Sequence, residues 1–214
     1  MLKAGYPINV FYGYVTDGIF QNQKEVDMHA TQVGAAPGDI RFKDLNNDGV
    51  INDEDRTVIG NSIPRFTFGL NLGFEYKGFD FSCFFQGVGK ADGYVTMEAI
   101  QPMGINGARK EHYKESFNPQ DPKPGAYFPR ILSSDYNYAY MSHWVQDASY
   151  IRLKNLQIGY SFKIKGLNQL RVYASGENLF TATKYRTWDP ETPVGARGFY
   201  PNVAVYSMGV NLNF

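Results

Sequence analysis

One short stretch of the sequence, DLNNDGVINDED, has the residue types and the spacing of a calcium-binding loop. Its alternate side chains can supply hard oxygen ligands, its glycine permits the sharp turn that curls a loop around an ion, and a backbone carbonyl can add a further ligand. The last of its twelve positions is an aspartate where the consensus has a glutamate. The pattern predicts a structural Ca²⁺ site with the ligands Asp44, Asn46, Asp48, the Val50 carbonyl and Asp55.

The same loop is also compatible with a turn that holds no ion. Asn, Asp and Gly build polar turns through their own side-chain hydrogen bonds and their tolerance of unusual backbone angles. The aspartate at the last position makes the loop similar to the dockerin variant of the EF-hand, and this implies a shorter reach towards the ion. With or without calcium, we expect the loop to be structural and not catalytic.

The remaining reactive side chains do not have the spacing of a catalytic or metal site. His29, His112 and His143 lie far apart in the connecting segments, without metal-ligand spacing, so we expect surface histidines. Cys83, the single cysteine, falls on the apolar face of a strand and fits a small hydrophobe better than a nucleophile. No pair of carboxylates is set apart as acid and base. We therefore predict no enzyme, and a secreted glycan hydrolase finds no supporting motif.

Tyrosine and tryptophan are frequent in the connecting segments. Such side chains can stack on sugar rings or contact a partner protein. They also form the interfacial girdles of membrane barrels and pack inside loops. Packing is the favoured role for most of them, and the candidates for contact with a ligand or partner are Trp188, Tyr185 and Trp144.

The elements that would position these residues are strands with one apolar and one polar face. Residues 66–76, FTFGLNLGFEY, alternate without a break over the length that a tilted strand needs to cross a bilayer. Lys77-Gly78 then makes a tight turn, and the alternation restarts at Phe79. This pattern predicts a β-hairpin.

A second hairpin and a final strand follow later in the chain. Residues 151–164 change the parity of their apolar positions near Lys154-Asn155, which predicts a β-bulge, and a short turn near 166–168 leads into the returning strand. Residues 203–214 supply a fifth strand. Its apolar face ends on Val210, Leu212 and Phe214.

The connections between the strands alternate strictly in length. Those at 77–78 and 165–168 are very short, whereas those at 37–64, 89–148 and 183–202 are long. Outer-membrane barrels have this asymmetry, with tight periplasmic turns and long extracellular loops. We therefore predict an all-β fold of antiparallel transmembrane β-barrel strands, with 37–64 and 89–148 as extracellular loops. The alternative is a soluble, calcium-stabilised, carbohydrate-binding β-sandwich domain.

Composition excludes several other classes of protein. The formal net charge is zero, with 21 basic and 21 acidic residues, so binding to nucleic acid through phosphate neutralisation is not expected. No apolar run approaches the length of a transmembrane helix. The N-terminal segment MLKAGYPINV lacks the apolar run of a signal peptide, so we expect either a cytosolic protein or a chain that is not the whole protein.

Several stretches resemble the C-terminal end of TonB-dependent outer-membrane transporters, and within them the SusC/RagA branch. The clearest are PGDIRFKDLNNDGVINDEDRTVIGN, NLGFEYKGFDFSCFFQG, WVQDASYIRLKNLQIGYSF and LRVYASGENLFTATKYRTWDPE. The closing YSMGVNLNF fits the last strand of that family, and FYGYVTDGIFQN fits more weakly. Together they cover nearly the whole chain in the expected order.

The resemblance implies that residues 1–214 are the C-terminal segment of one barrel domain of about 22 strands, without its plug and early strands. It implies uptake of glycans or oligopeptides across the outer membrane, a SusD-like surface lipoprotein over the barrel mouth, and energy supplied by TonB through the missing plug region. It also implies that the terminal Phe214, with Leu212 and Val210, is an assembly signal for the barrel-assembly machinery. The polar strand faces, with Asn71, Glu75, Asp80, Gln157 and Arg171, would then line the lumen.

Overall fold

The computed structural model describes residues 5–95, 97–102, 107–122, 125–132, 136–166, 168–192 and 200–213. In these ranges the chain is mostly antiparallel strand with a few short helices, and none of these helices is long and apolar enough to cross a membrane. The strands are β1 (Val10–Tyr14), β2 (Thr16–Ile19), β3 (Ile40–Phe42), β4 (Arg56–Asn61), β5 (Phe66–Tyr76), β6 (Phe79–Gly89), β7 (Asp92–Tyr94), β8 (Val145–Asp147), β9 (Tyr150–Phe162), β10 (Gln169–Thr183) and β11 (Val205–Asn213). The α-helices are α1 (Gln23–Asp27), α2 (Met97–Ile100) and α3 (Lys110–Glu115), and 3-10 turns occupy Asp53–Asp55, Tyr136–Tyr138 and Ser142–Trp144.

The chain divides into two compact units. The first unit contains residues 5–63 and Asp92–Gln146, and the second contains Pro64–Ala91, Asp147–Thr192 and residues 200–213. The second unit is a five-stranded antiparallel sheet in the order β11-β10-β9-β6-β5. Neighbours in the sheet are consecutive in the unit, as in the wall of an up-and-down barrel. The predicted fold class is confirmed.

Both predicted hairpins are present in this sheet. Between β5 and β6 the chain turns on two residues, Lys77 and Gly78, whose φ angles are +47° and +91°. Positive φ at both central positions defines the type I′ turn, whose twist matches the right-handed twist of the flanking strands. Lysine rarely adopts a positive φ angle, whereas the glycine beside it does so without steric cost.

The predicted bulge near Lys154-Asn155 is also present. The pairing of β9 with β6 shifts register between Phe84 and Phe85, so that Asn155 pairs with Phe84 and Leu153 with Phe85. Lys154 is left as the extra residue, which changes the parity of the strand at that point. Apolar side chains therefore stay on one side of β9 along its whole length.

The two faces of the sheet differ in what covers them. On the apolar face, side chains of the inner strands are exposed, including Phe79 (55%), Ile158 (51%) and Val172 (43%). Inner strands have neighbours on both sides, so exposure there reflects an uncovered face and not an open edge. An apolar face this wide, over which the described residues place no protein layer, is what a lipid-facing barrel wall presents.

The first unit has a conventional buried core. Its largest fully buried side chains are Trp144, Phe20, Ile40, Ile100 and Met141. Two small antiparallel ladders, β1 with β4 and β2 with β3, form part of this unit. The segments 37–64 and 89–148, predicted as long loops, therefore contribute ordered secondary structure to this unit.

A buried polar network ties distant parts of the first unit together. Asp39 is fully buried, and its carboxylate accepts hydrogen bonds from Arg130 Nε at 2.7 Å and Arg130 Nη2 at 2.8 Å. Asn137 Nδ2 donates to the same carboxylate at 2.9 Å, and its Oδ1 accepts the N–H of Ile40. Both the charge and the amide are paired, which is the condition for burying them without a large loss of stability.

Candidate functional site

The polar face of the five-stranded sheet carries its charged and amide side chains. Cross-strand pairs on this face include Asn71 with Phe84, Ser82 with Gln157, and Arg171 with Ser161. Residues predicted to share one polar face therefore do so. They are Asn71, Glu75, Asp80, Gln157 and Arg171.

Near the short turns, an ion pair spans three strands. Asp80 on β6 and Arg171 on β10 form a bidentate pair, with Arg171 Nε 2.9 Å from Asp80 Oδ2. Gly159 of β9 lies between them, opposite both Asp80 and Tyr173. A β-carbon at Gly159 would come within 2.4 Å of the Asp80 carboxylate and 2.7 Å of Arg171 Nη2. The glycine is therefore what allows the pair to close over the middle strand.

A concavity of about 660 Å³ opens beside this ion pair. Polar groups dominate its lining, and Glu75 faces Asp80 directly across the hairpin. Two carboxylates, Glu75 and Asp80, and two cations, Lys77 and Arg171, line it, so the lining has no formal net charge. The polar lining residues include Glu75, Asp80, Gln157, Ser161, Gln169 and Arg171.

A second charged group lies at the opposite end of the same face, where the long connections leave the sheet. We call it the anchor cluster, and it comprises Arg152, Lys154, Asp189 and Glu191. Arg152 Nη2 donates to Asp189 Oδ2 at 2.8 Å, and Lys154 Nζ donates to Glu191 Oε2 at 2.7 Å. Arg152 is 2% exposed. Two cations from β9 thus meet two carboxylates from the connection between β10 and β11.

Sequence reasoning did not find the anchor cluster. The available signal was modest: two cations two residues apart before a parity change, and two carboxylates two residues apart in WDPE. Matching spacings allow two such pairs to meet, but only the fold of the connection brings them together. The most informative clue was Arg152 itself, a charged residue between the apolar residues Ile151 and Leu153, because a charge beside apolar neighbours needs a partner when it is buried.

The predicted calcium loop is a series of side-chain-to-backbone turns. Asp44 accepts the N–H groups of Asn47 at 2.6 Å and Gly49 at 2.8 Å. Asn46 accepts from Asp48 N–H, and Asp48 accepts from Val50 N–H. The Val50 N–H is the largest cause that lowers the pKa of the exposed Asp48 carboxyl below its usual value. These turns place the three alternate oxygen-bearing side chains along one curled loop.

The loop carries the kinds of oxygen that a hard cation needs. Carboxylate, amide and carbonyl oxygens are the right ligands for Ca²⁺, and a carboxylate oxygen that accepts one N–H keeps a second lone pair. Asp55 is fully buried, and its two oxygens accept from the N–H groups of Leu45 at 2.8 Å and Asn52 at 2.9 Å. Across the described ranges, no three His, Cys, Asp or Glu side chains converge as a metal site. The residues fit the ion in kind, and calcium stays a prediction.

The three aromatic candidates occupy different environments. Trp144 is fully buried, its Nε1 donates to the Asn137 carbonyl at 2.9 Å, and Tyr127 and Tyr138 pack around its ring. It cannot reach a ligand or a partner, so of the two alternatives open for Trp144 the structure shows packing. Trp188 and Tyr185 are half-buried in the connection after β10. Their role stays a prediction.

The proposed assembly signal lies on the last strand. Val210 and Leu212 belong to the apolar face of β11, opposite Val172 and Leu170, and both are more than half exposed. Phe214 lies outside the described residues. The strand itself is present, as predicted, over Val205–Asn213.

Two histidines differ from the expectation of surface residues. His112 on α3 is 1% exposed; its Nδ1 accepts the Arg109 N–H at 3.1 Å, and its Nε2 lies 3.1 Å from the Ala99 carbonyl. His143 is half-buried, with Nε2 2.6 Å from the Tyr127 carbonyl. Burial is the largest cause that lowers the pKa of both imidazoles. The surface expectation was wrong for His112, because α3 uses that side chain to close its own first turn.

The chain is similar to several proteins over its whole length. It is 35% identical to TonB-dependent receptor P3 of Formosa agariphila, in an alignment that covers 100% of this chain and 23% of the receptor. It is 27% identical to TonB-dependent receptor SusC of Bacteroides thetaiotaomicron, over 99% of this chain and 20% of SusC. No protein-family model matches the chain. The chain thus spans less than a quarter of the length of these relatives.

Solved structures show the same fold. A structure of the RagAB peptide transporter superposes with a TM-score of 0.77 at 23% identity, covering 100% of this chain and 23% of the transporter chain. The sheet and this superposition define the fold class as that of antiparallel β-barrels.

Within that class, the chain belongs to the SusC/RagA branch of the TonB-dependent receptors. The resemblance drawn from the sequence motifs is confirmed. The relatives are receptors and transporters by name, and not enzymes.

Proposed function

We propose that this chain works as the C-terminal part of a TonB-dependent nutrient transporter in the outer membrane. The observation that carries the proposal is the asymmetry of the five-stranded sheet. Apolar side chains of its inner strands are uncovered on one face, while the other face carries the Asp80–Arg171 pair and the anchor cluster. The apolar face would meet lipid and the polar face would line the lumen of a barrel of about 22 strands.

The lengths of the connections set the orientation in the membrane. The turns at Lys77-Gly78 and between β9 and β10 lie at one end of the sheet, and β11 ends there as well. This end would face the periplasm, as the short turns of outer-membrane barrels do. The segments 37–64 and 89–148 would then be extracellular and would form much of the first unit.

The names of the relatives supply the finer proposal for solute and partners. SusC is a TonB-dependent receptor, and RagAB is a peptide transporter. On that basis we propose glycans or oligopeptides as solutes, a SusD-like surface lipoprotein over the mouth, and coupling to TonB through a plug region. Trp188 and Tyr185 are the aromatic residues of this chain that we propose for contact with solute or lipoprotein.

The test is to express the complete transporter in its native host with an epitope tag. We expect fractionation with the outer membrane, a folded form that needs detergent for extraction, and oligopeptide or glycan uptake that stops when TonB is deleted. A tagged protein that stays in solution without detergent would instead support the soluble carbohydrate-binding domain. Uptake that persists without TonB would overturn the coupling.

For assembly, we propose that Phe214, with Leu212 and Val210, is recognised by the barrel-assembly machinery. Deletion of Phe214 should lower the amount of folded transporter in the outer membrane several-fold without changing its synthesis. Heat-modifiability on gels measures the folded fraction, and Phe214→Tyr is the matched control that keeps a terminal aromatic residue. Equal insertion of the deletion and the control would contradict the proposal.

For the loop 44–55, we propose a bound Ca²⁺ that stiffens it. Asp44, Asn46, Asp48 and the Val50 carbonyl would hold the ion, with Asp55 at the buried end of the loop. Titration of the intact transporter with millimolar Ca²⁺ should release heat and slow hydrogen exchange in this loop. Asp48→Ala should abolish both effects, whereas Asp53→Asn should not, because Asp53 bonds Arg56 instead. No heat with the unaltered protein would end the proposal.

A further inference from the structure

The connection between β10 and β11 is fastened to the polar face of the sheet. We infer that its segment Asp189–Glu191 is a strap, tied down by Arg152 and Lys154, which holds this connection in one position against the face that the proposed function assigns to the lumen. The contacts that follow are all within the second unit.

Arg152 is the first tie. Its guanidinium is almost fully buried, and each nitrogen has a polar group in reach: Nε donates to Thr181 Oγ1 at 2.7 Å, Nη2 donates to Asp189 at 2.8 Å, and Nη1 lies 2.9 Å from Glu191 Oε2. Thr181 is the cross-strand partner of Arg152 on β10. The sheet therefore orients the guanidinium, and its two outer nitrogens are left for the strap.

Glu191 is the second tie, and it joins both ends of the connection. Its Oε2 accepts from Lys154 Nζ at 2.7 Å and from Asn202 Nδ2 at 2.6 Å. Asn202 comes shortly before β11, whereas Glu191 comes shortly after β10. One carboxylate thus closes the base of the connection and fixes that base to β9.

Hydrogen bonds within the strap itself hold its turn. Asp189 accepts the N–H of Glu191 on its side chain and the N–H of Thr192 on its carbonyl, both at 2.9 Å. Pro190 between the two acids fixes its own φ angle. The turn presents two carboxylates two residues apart to two cations two residues apart on β9. Each strap charge has a partner of opposite sign, so the cluster is neutral as a whole.

Removal of one member would leave a buried charge without its partner, which is the costly way to disrupt a buried ion pair. The strap is therefore a fixed part of the wall and not a flap that swings during each transport cycle. The side-chain exposure of the pairs supports this, since Arg152, Asp189 and Glu191 are 3%, 10% and 18% exposed.

Protease sensitivity of the complete transporter tests the strap. Lys184 and Arg186 lie between β10 and the strap, so trypsin cleavage there, followed by mass spectrometry, reports whether the connection is held. We expect Glu191→Ala and Lys154→Glu each to speed this cleavage at least tenfold, and Glu191→Gln to speed it less, because its amide oxygen can still accept from Lys154 and Asn202. Arg171→Gln is the matched control, since Arg171 lies on the same face and pairs with Asp80 on β6 instead.

The outcomes separate the strap from the proposed function. Cleavage as slow in Glu191→Ala and Lys154→Glu as in the unaltered protein would overturn the strap. If Glu191→Ala fails to assemble, Glu191→Gln gives the same comparison with a smaller perturbation. Rates are measured on intact cells and after detergent extraction: a tenfold effect seen only after extraction supports the strap and places the connection inside the cell, contrary to the proposed orientation.

Discussion

The two units of this chain use similar residues against different surroundings. In the first unit, Trp144, Phe20 and Met141 are buried in a protein core. In the second, Phe79 and Ile158 are exposed although they belong to inner strands. The sheet also buries a charged side chain, Arg152, on the face opposite those exposed apolar side chains. Apolar composition alone therefore does not indicate which side of an element faces protein.

The exposed face still has internal packing of its own. The Phe66 and Phe68 rings lie over Gly89 and Gly87 of the neighbouring strand, where a β-carbon would come within 2.1 Å of each ring. Rings that cover glycines make a smooth surface without interlocking partners. This suits contact with fluid lipid chains, whereas a protein core requires complementary knobs and holes.

The largest expected effect comes from breaking the core of the first unit. Trp144→Ala should lower the stability of that unit by about 3–5 kcal/mol, because a large buried ring is replaced by a cavity. Proteolysis within 92–146 should increase strongly while the folded sheet, measured by heat-modifiability, stays. Tyr113→Ala, at an 89% exposed position, is the control and should have little effect. Loss of the folded sheet together with the first unit would show that the two do not respond separately.

A charge placed on either side of one strand tests the assignment of the faces. Leu72 and Asn71 are neighbours on β5 that point to opposite faces. Leu72→Arg should lower the free energy of unfolding by about 2–4 kcal/mol, which is the cost of placing arginine on a lipid face near the midplane. Asn71→Arg should cost far less, because its face is polar. Equal effects of the two substitutions, measured by urea titration in lipid vesicles, would contradict the assignment.

The smallest expected effect is acid sensitivity confined to the first unit. The pKa of His112 and His143 is lowered in the folded state, so the unfolded chain binds protons first as the pH falls below about 6.5. Stability from the neutral imidazoles is complete above that pH and declines below it, by at most about 1.4 kcal/mol per pH unit for each histidine. Hydrogen exchange of residues 107–117, corrected for intrinsic rates, should be faster at pH 5 than at pH 7.

The variant His112→Gln sharpens this prediction. A glutamine can accept the Arg109 N–H and donate to the Ala99 carbonyl but cannot take up a proton. We expect a flatter pH dependence even if total stability is lower. An unchanged pH dependence would remove His112 as a cause.

The sheet could be predicted from the sequence because its signals are local. Alternation of apolar residues, the Lys77-Gly78 turn and the parity change at Lys154 each depend on neighbouring residues, and all three were confirmed. The polar-face residues followed from the same parity. When one face of a strand is apolar and the other polar, the alternation of its residues shows which side chains belong to each face.

The first unit and the anchor cluster could not be predicted because their contacts join distant residues. Asp39 meets Arg130 across 91 positions, and Arg152 meets Asp189 across 37. Neither pair has a periodic pattern that would indicate its partner. Trp144 shows the same limit, since an aromatic residue in a long connection has the same local sequence whether it is buried or exposed.

The glycine beneath the Asp80–Arg171 pair has a consequence for protein engineering. A side chain at position 159 would meet only the far ends of Asp80 and Arg171, which can move aside, so a substitution there should open the ion pair without preventing the fold. Positions 80 and 171 should tolerate exchange of their two residues as a set, because reversing the partners preserves the neutral bridge. A designer who wishes to remove this bridge could therefore do so from the strand beneath it as well as from its two ends.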